Sequence, residues 1–343
     1  MEDKKINVLS LFDGMSCGQI ALNRIGIDYG NYYASEIDSW AIKVTQHNYP
    51  STIQLGDVSD WEQWNIDWGS IDLVLAGSPC QGFSIAGKQL AFDDPRSALF
   101  FKFVGIWSMV QAHNPKAKFL LENVRMKREF QDVITRYMGV RPIMLNSSLL
   151  SAQNRMRCYW TNIKGISVPD DKGVLLKDVV HESTKDKPSD FDSFVVPMDK
   201  SLVILEKEVE RGKVGYFRSD SQANRVYYIH NKSVTLCGSA GGGAAKMGQY
   251  LFGCITPDRI NKRQNGQRFS EGKKFYTLTA QDRHGVLVDG YIRKLTPTEC
   301  ERLQTVPEGY TELATPTQRY KMLGNGWTVD VIAHLLKYIN HGV

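Results

Sequence analysis

Short apolar runs recur through the first half of the chain, at residues 6–12, 32–36, 53–57, 71–76, 119–122, 142–146 and 158–163. Their length and β-branched content predict strands. Amphipathic stretches with helical spacing, such as 18–25 and 99–111, lie between several of them. Strands that alternate with crossover helices predict an α/β fold, with a mainly parallel sheet covered on both faces. In such sheets ligands bind beyond the carboxyl ends of the strands, so the polar residues that end each run become the candidates for chemistry.

From about Ser167 the alternation fails, and charged, Gly-containing segments with short β-like pieces continue to about Val288. Two of these pieces resemble each other. Arg225-Val226-Tyr227 leads to Lys232-Ser233-Val234-Thr235-Leu236, and Arg268-Phe269-Ser270 leads to Lys274-Phe275-Tyr276-Thr277-Leu278. Two copies are too few for a solenoid and fit a small β-rich unit. Gly241-Gly242-Gly243 adds backbone freedom beside the first copy. Regular patterning then returns. Thr296-Pro297 with Glu299 has the signature of a helix start, and Val331, Leu335, Leu336 and Ile339 share one helical face. The expected division is 1–166, an inserted unit over 167–288, and a return to the first unit over 289–343.

Composition changes this picture little. The 343 residues are 42% hydrophobic and 23% charged, as in a globular protein. No apolar run has the length to cross a bilayer, and the charged start before residue 6 shows no signal peptide. A cytoplasmic location is expected, or a nuclear one in a cell with a nucleus. The net charge of +5 is unevenly placed. Residues 211–288 hold thirteen Lys+Arg against four Asp+Glu, and residues 170–210 hold six against eleven. A local excess of that size suits a polyanion, with a solvated basic face as the competing reading. The six cysteines are scattered without Cys-x-x-Cys or paired histidines, which argues against a metal site or a disulfide framework.

The first turn reads Phe12-Asp13-Gly14-Met15-Ser16-Cys17-Gly18, with glycines that let backbone approach a ligand at a helix start. Glu36 ends the second run, where a carboxylate can bind a ribose, with Ile37 next to it. Asp57, followed by Val58, ends the third run and can accept from an adenine amino group. No phosphate-binding Gly-Lys loop is present, so a nucleoside without pyrophosphate fits better than NAD or ATP. The fourth run ends in Gly77-Ser78-Pro79-Cys80-Gln81-Gly82-Phe83-Ser84, a cysteine just past a strand and poised as a nucleophile. The fifth ends in Glu122-Asn123-Val124, a carboxyl set against apolar residues where a proton can be held. Gln153-Asn154-Arg155-Met156-Arg157 then aims two guanidinium groups at the same rim.

In order and strand position these motifs, with the late Leu323-Gly324-Asn325, resemble those of the DNA cytosine-5 methyltransferases. The resemblance covers about 6–163 and 291–340. It implies the Rossmann-like methyltransferase fold, S-adenosyl-L-methionine as cofactor and double-stranded DNA as partner. The cofactor would be held by Phe12, Asp13, Gly14, Gly18, Glu36, Ile37, Asp57, Val58, Pro79, Leu99, Asn325 and Trp327. Cys80 would be the covalent nucleophile, Glu122 would hold N3 and the exocyclic amine of cytosine, and Arg157, with Arg155 beside it, would hold O2. The target base must leave the duplex to be reached. Gln81, Ser84, Arg96 and Gln153 correspond to positions near DNA, and the insert would be the target-recognition domain, with Arg225 and Arg268 as its candidate readers. The sequence departs from most bacterial members at Gly326-Trp327, where a small residue and valine are usual, and at Ala86, where some members carry serine. Trp327 is expected to pack on the cofactor or in the core.

The resemblance favours a prokaryotic or phage enzyme acting as a monomer on DNA, with a companion restriction endonuclease as a further expected partner. The competing readings are a tRNA cytosine-5 methyltransferase, a catalytically silent DNA-binding relative and, more distantly, a dehydrogenase. Ser78-Pro79-Cys80 favours DNA over tRNA, whose enzymes usually carry Pro-Pro-Cys. The silent relative conflicts with the intact Cys80, Glu122 and Arg157, and the dehydrogenase lacks its dinucleotide glycines.

Overall fold

A computed structural model describes residues 5–78, 98–180, 195–196, 202–209, 213–218, 225–228, 232–233, 235–236, 249–252, 291–293 and 295–339. The apolar runs form the strands β1 (Ile6–Leu11), β2 (Tyr29–Ser35), β3 (Ile53–Gln54), β4 (Ile71–Gly77), β5 (Lys118–Val124), β6 (Ile143–Asn146) and β7 (Met156–Thr161). They make one sheet in the order β3-β2-β1-β4-β5-β7-β6. The pairs from β3 to β5 are parallel. Only β7 runs against its neighbours, β5 and β6. Strand order reverses between β1 and β4, which opens a crevice at their carboxyl ends.

Helices α1 (Cys17–Arg24), α2 (Ser39–Asn48), α3 (Ala98–His113) and α4 (Arg128–Met138) cross between the strands. Because side chains alternate along a strand, each central strand feeds two cores. Val8, Leu73 and Leu75 join the core under α1, while Leu9, Leu11, Val74 and Ala76 join that under α3 and α4. Strands buried on both faces read as continuous apolar runs, which is why the sequence marked them.

A second sheet contains β8 (Val195–Val196), β9 (Leu202–Val209), β10 (Lys213–Phe217), β11 (Arg225–Tyr228), β12 (Gln249–Phe252) and β13 (Tyr291–Arg293). Its order is β8-β13-β12-β11-β10-β9, with β11 and β12 parallel and the other pairs antiparallel. Pairing in this sheet therefore continues past residue 288. The first of the two similar segments opens in β11, and its Lys232, Ser233, Thr235 and Leu236 are drawn to the first sheet's loops. Ser233 N donates to Ala152 O at 2.7 Å, and Asn154 N donates to Ser233 O at 2.9 Å. The second similar segment and the Gly241–Gly243 stretch lie outside the described residues.

The chain returns through α5 (Pro297–Leu303), α6 (Pro316–Asn325) and α7 (Val329–Leu336). The Thr296 side chain caps α5, with Glu299 reaching back in a reciprocal capping box. Leu303, Leu323, Val331, Ile332 and Leu335 are fully or almost fully buried in the same core as Val8 and α1. The last segment thus completes a face that residues 5–180 leave open. Among the described residues, no helix is long and apolar enough to cross a membrane.

Candidate active site

The crevice begins where the chain leaves β1. Phe12 and Gly14 adopt positive φ angles of 56° and 60°, and Asp13 N donates to Ser35 O at 3.1 Å, tying this turn to the end of β2. Glu36 then gathers three backbone amides. Gly14 N donates to its Oε2 at 2.8 Å, and Ile37 N and Asp38 N donate to Oε1 at 2.7 and 2.8 Å. Two carboxylate oxygens have room for about four hydrogen bonds, so acceptor capacity remains. Ile37, 72% exposed, presents an uncovered apolar side chain beside it. Ser35 Oγ donates to Gly56 O, which brings the end of β3 next to Glu36. Asp57 is exposed there and uses Oδ1 to accept from Ser59 N at 2.8 Å, while Val58 is buried. Phe12 and Leu99 pack at the edge of the core under α3.

Asp13 is buried, takes a hydrogen bond from Tyr32 Oη on Oδ1 at 2.9 Å, and leaves Oδ2 without a partner among the described residues. Burial pushes its carboxyl up to about 6, against the pull of its hydrogen bonds. A buried acid with an unused oxygen, a second acid at Glu36 and an open Gly14 make a crevice suited to a nucleoside that carries positive charge. S-adenosylmethionine, with its sulfonium and ammonium groups, fits. Gly18 has a different reason for being glycine. A Cβ there would stand 2.6 Å from Tyr32 Oη and 2.7 Å from Leu75 Cδ1, so it lets α1 pack against the sheet.

Gly77 of β4 and Glu122 of β5 are register partners. Asn123 Nδ2 donates to Ser78 Oγ at 3.0 Å, anchoring the residue that leads into Pro79 and Cys80. Glu122 is 8% exposed. Its Oε1 forms an ion pair with Arg157 Nε at 3.0 Å, without the alignment of a hydrogen bond, and its Oε2 accepts from Trp327 Nε1 at 3.2 Å. Pro79, Cys80, Gln81, Ser84, Ala86, Arg96 and Arg268 lie outside the described residues. Three other thiols among the described residues, Cys17, Cys158 and Cys300, are buried, and burial pushes Cys17 up to about 12 and Cys158 up to about 11.

The two arginines of the Gln-x-Arg-x-Arg motif part company. Arg157 meets Glu122, whereas Arg155, 4% exposed, forks onto main-chain oxygens. It donates to Leu236 O at 2.9 Å, to Gly324 O at 3.1 Å from both amino groups, and to Gly326 O at 3.0 Å. Gln153 is fully buried, and its side-chain amide has no hydrogen-bond partner among the described residues. Asn325 is exposed at the end of α6. A Cβ on Gly326 would lie 2.9 Å from Met15 Cε, so the late motif is pressed against the first turn. Tyr310 Oη, donating to Met15 O at 2.7 Å, adds a second clasp.

Tyr32, Asn123 and Gly77 support the site without having been singled out as site residues. Tyr32 sits in an apolar run and reads as core, and the other two only flank motif residues.

The sequence profile of the C-5 cytosine-specific DNA methylases matches residues 6–341. The chain belongs to this family. The enzyme is a DNA cytosine-5 methyltransferase that uses S-adenosylmethionine. It is 27% identical to the orphan methyltransferase M.SPRI of Bacillus phage SPR, over 98% of each chain. It is 26% identical to the type II methyltransferase M.HhaI of Haemophilus parahaemolyticus, covering 100% of this chain and 96% of that one. Among solved structures, the Entamoeba histolytica methyltransferase EhMeth is similar with a TM-score of 0.64 at 16% identity, over 98% of each chain. DNMT2 of Spodoptera frugiperda is similar with a TM-score of 0.59 at 22% identity, covering 98% of this chain and 99% of that one. These two likenesses concern the fold.

Proposed function

We propose that Cys80 attacks C6 of a cytosine flipped out of double-stranded DNA, with Glu122 and Arg157 holding the base. The thiolate forms the S–C6 bond while protonated Glu122 hydrogen-bonds N3 and accepts from the exocyclic amine. Electron density reaches C5, which is otherwise too weak a nucleophile. When bound, S-adenosylmethionine supplies the methyl group. Loss of the C5 proton then re-forms the C5–C6 double bond and expels the Cys80 thiolate. Arg157 holds O2, and its guanidinium beside Glu122 keeps both groups aimed at one base edge.

The observation that carries this reading is the Gly77–Glu122 register, because Cys80 follows Gly77 by three residues in the chain. Burial supports it from the other side. A thiolate is the reactive form of cysteine, and Cys17 and Cys158 are held as thiols. The cofactor's contacts fall to the Phe12–Gly14 turn, Glu36, Ile37, Asp57 and the Asn325–Trp327 end.

The second sheet and the basic residues over 211–288 support a target-recognition role for the inserted unit. It would meet the major groove, where base edges are distinguishable, with phosphate affinity from its positive charge. We assign the enzyme to the cytoplasm and to action as a monomer on DNA. The orphan phage relatives favour work without a companion endonuclease. A type II partner is the second reading, favoured by the name of M.HhaI.

The test is a trap. DNA with 5-fluorocytosine at the target should form a covalent adduct with the wild type, since fluorine does not leave as a proton does. Cys80→Ala should form none. An adduct that survives in this variant, or maps to Cys17 or Cys158, overturns the assignment.

A further inference from the structure

A carboxyl group is symmetric, and the use proposed for Glu122 is not: one oxygen must donate to N3 while the other accepts from the amine. The carboxyl must therefore be held in one orientation toward the base. Arg157 Nε approaches Oε1 at 3.0 Å without hydrogen-bond alignment, whereas Trp327 Nε1 donates to Oε2 at 3.2 Å. Indole and guanidinium nitrogens are donors only, so both carboxyl oxygens face donors and the group is held from two sides. The indole is 9% exposed and is held in place by Gly77, where a Cβ would come within 2.9 Å of Nε1 and 3.2 Å of Cε2 and Cζ2. Gly77 is itself the register partner of Glu122. The ring therefore lies over the strand end that leads to Cys80 and points its N–H at Glu122.

We propose that Trp327 is a positioning residue for Glu122: its indole N–H holds Oε2 and, with Arg157 at Oε1, fixes the orientation in which the carboxyl meets the base edge. This goes beyond packing on the cofactor or in the core, the roles expected from sequence, and it rests on the assignment of Glu122 to the base. Members with a small residue and valine at this place have no such donor, so the device belongs to the Gly326-Trp327 form of the motif.

The measurement must separate a role at Glu122 from a role at the cofactor. Release of tritium from C5-tritiated cytosine DNA into water, with cofactor omitted, reports addition of the thiol and activation of the base alone. Trp327→Phe keeps an aromatic ring, though a smaller one, and removes the N–H. Its exchange rate should fall roughly ten- to a hundredfold, with cofactor affinity by calorimetry within about twofold of wild type. Gly77→Ala leaves the N–H intact but crowds the ring, and should lower exchange in the same direction. Melting temperatures establish that both variants are folded at the assay temperature, and if Trp327→Phe is not, Gly77→Ala decides. Exchange at the wild-type rate in the folded variants overturns the inference, whether cofactor affinity is lost or kept. Glu122→Gln should abolish exchange. If it exchanges like the wild type, the role of Glu122 falls instead, and the two failures are told apart.

Discussion

Gly14 and Glu36 stand 22 residues apart and are joined by a 2.8 Å hydrogen bond from the Gly14 amide to Oε2. The contact locks the turn after β1 to the end of β2. It makes the Glu36 carboxylate part of the backbone frame of the crevice while leaving it acceptor capacity. An acid built in this way is rigid before any ligand arrives, which lowers the ordering cost of binding.

Glu36→Gln keeps one acceptor oxygen and removes the charge. Cofactor affinity should drop by about 1.5–3 kcal/mol, the range for a hydrogen bond to a charged group. DNA affinity without cofactor should hardly change. Calorimetry that finds cofactor binding unaltered removes Glu36 from the cofactor site.

Asp13 gives the cofactor-free enzyme a pH-dependent weakness. Its carboxyl is raised by burial from 3.8 to about 6, so the unfolded chain loses this proton before the folded one does. Below 3.8 both states are protonated and the group is neutral to stability. As pH rises from there to about 6 stability falls, and above 6 the full cost stands, on the order of 3 kcal/mol. Asp13→Asn should therefore stabilise the cofactor-free enzyme at pH 8 and leave it nearly unchanged near pH 4. Urea midpoints showing the same gain at both pH values would mean that ionisation of Asp13 is not its source.

Arg155 ties the 232–236 stretch to the 324–326 turn through three carbonyl oxygens. A lysine cannot reproduce that fork. Arg155→Lys should cost about 2–4 kcal/mol of stability by leaving buried carbonyls short of donors. A variant with wild-type stability and a reduced kcat would instead make Arg155 a group that meets the base.

Arg225 opens β11, half-buried, opposite Tyr216 of β10. If it reads a guanine edge, Arg225→Ala should cost ~1–3 kcal/mol and relax preference at one base position. Methylation of a randomised-sequence library decides this. A loss spread evenly over all sequences assigns Arg225 to the phosphate backbone.

The central strands are legible in the sequence, because β1, β4 and β5 are buried on both faces and are therefore mostly apolar. Strand ends in a parallel sheet face one crevice, so Asp13, Glu36, Asp57, Glu122 and the Cys80 loop could be assigned to a common rim, and their order pointed to the family. Spacing could not tell Arg155 from Arg157. Two residues apart, they read alike along the chain, yet one meets Glu122 and the other carbonyls more than eighty residues away. Gln153 likewise reads as a polar rim residue and is fully buried. The direction of Trp327 depends on Gly77 and Glu122, both over two hundred residues earlier. Sequence alone marked the strand ends that form the rim of the crevice, since burial patterns and strand ends are local properties. Tertiary structure decided what each side chain touches, because a hydrogen-bond partner is set by register and packing between segments that the chain keeps far apart.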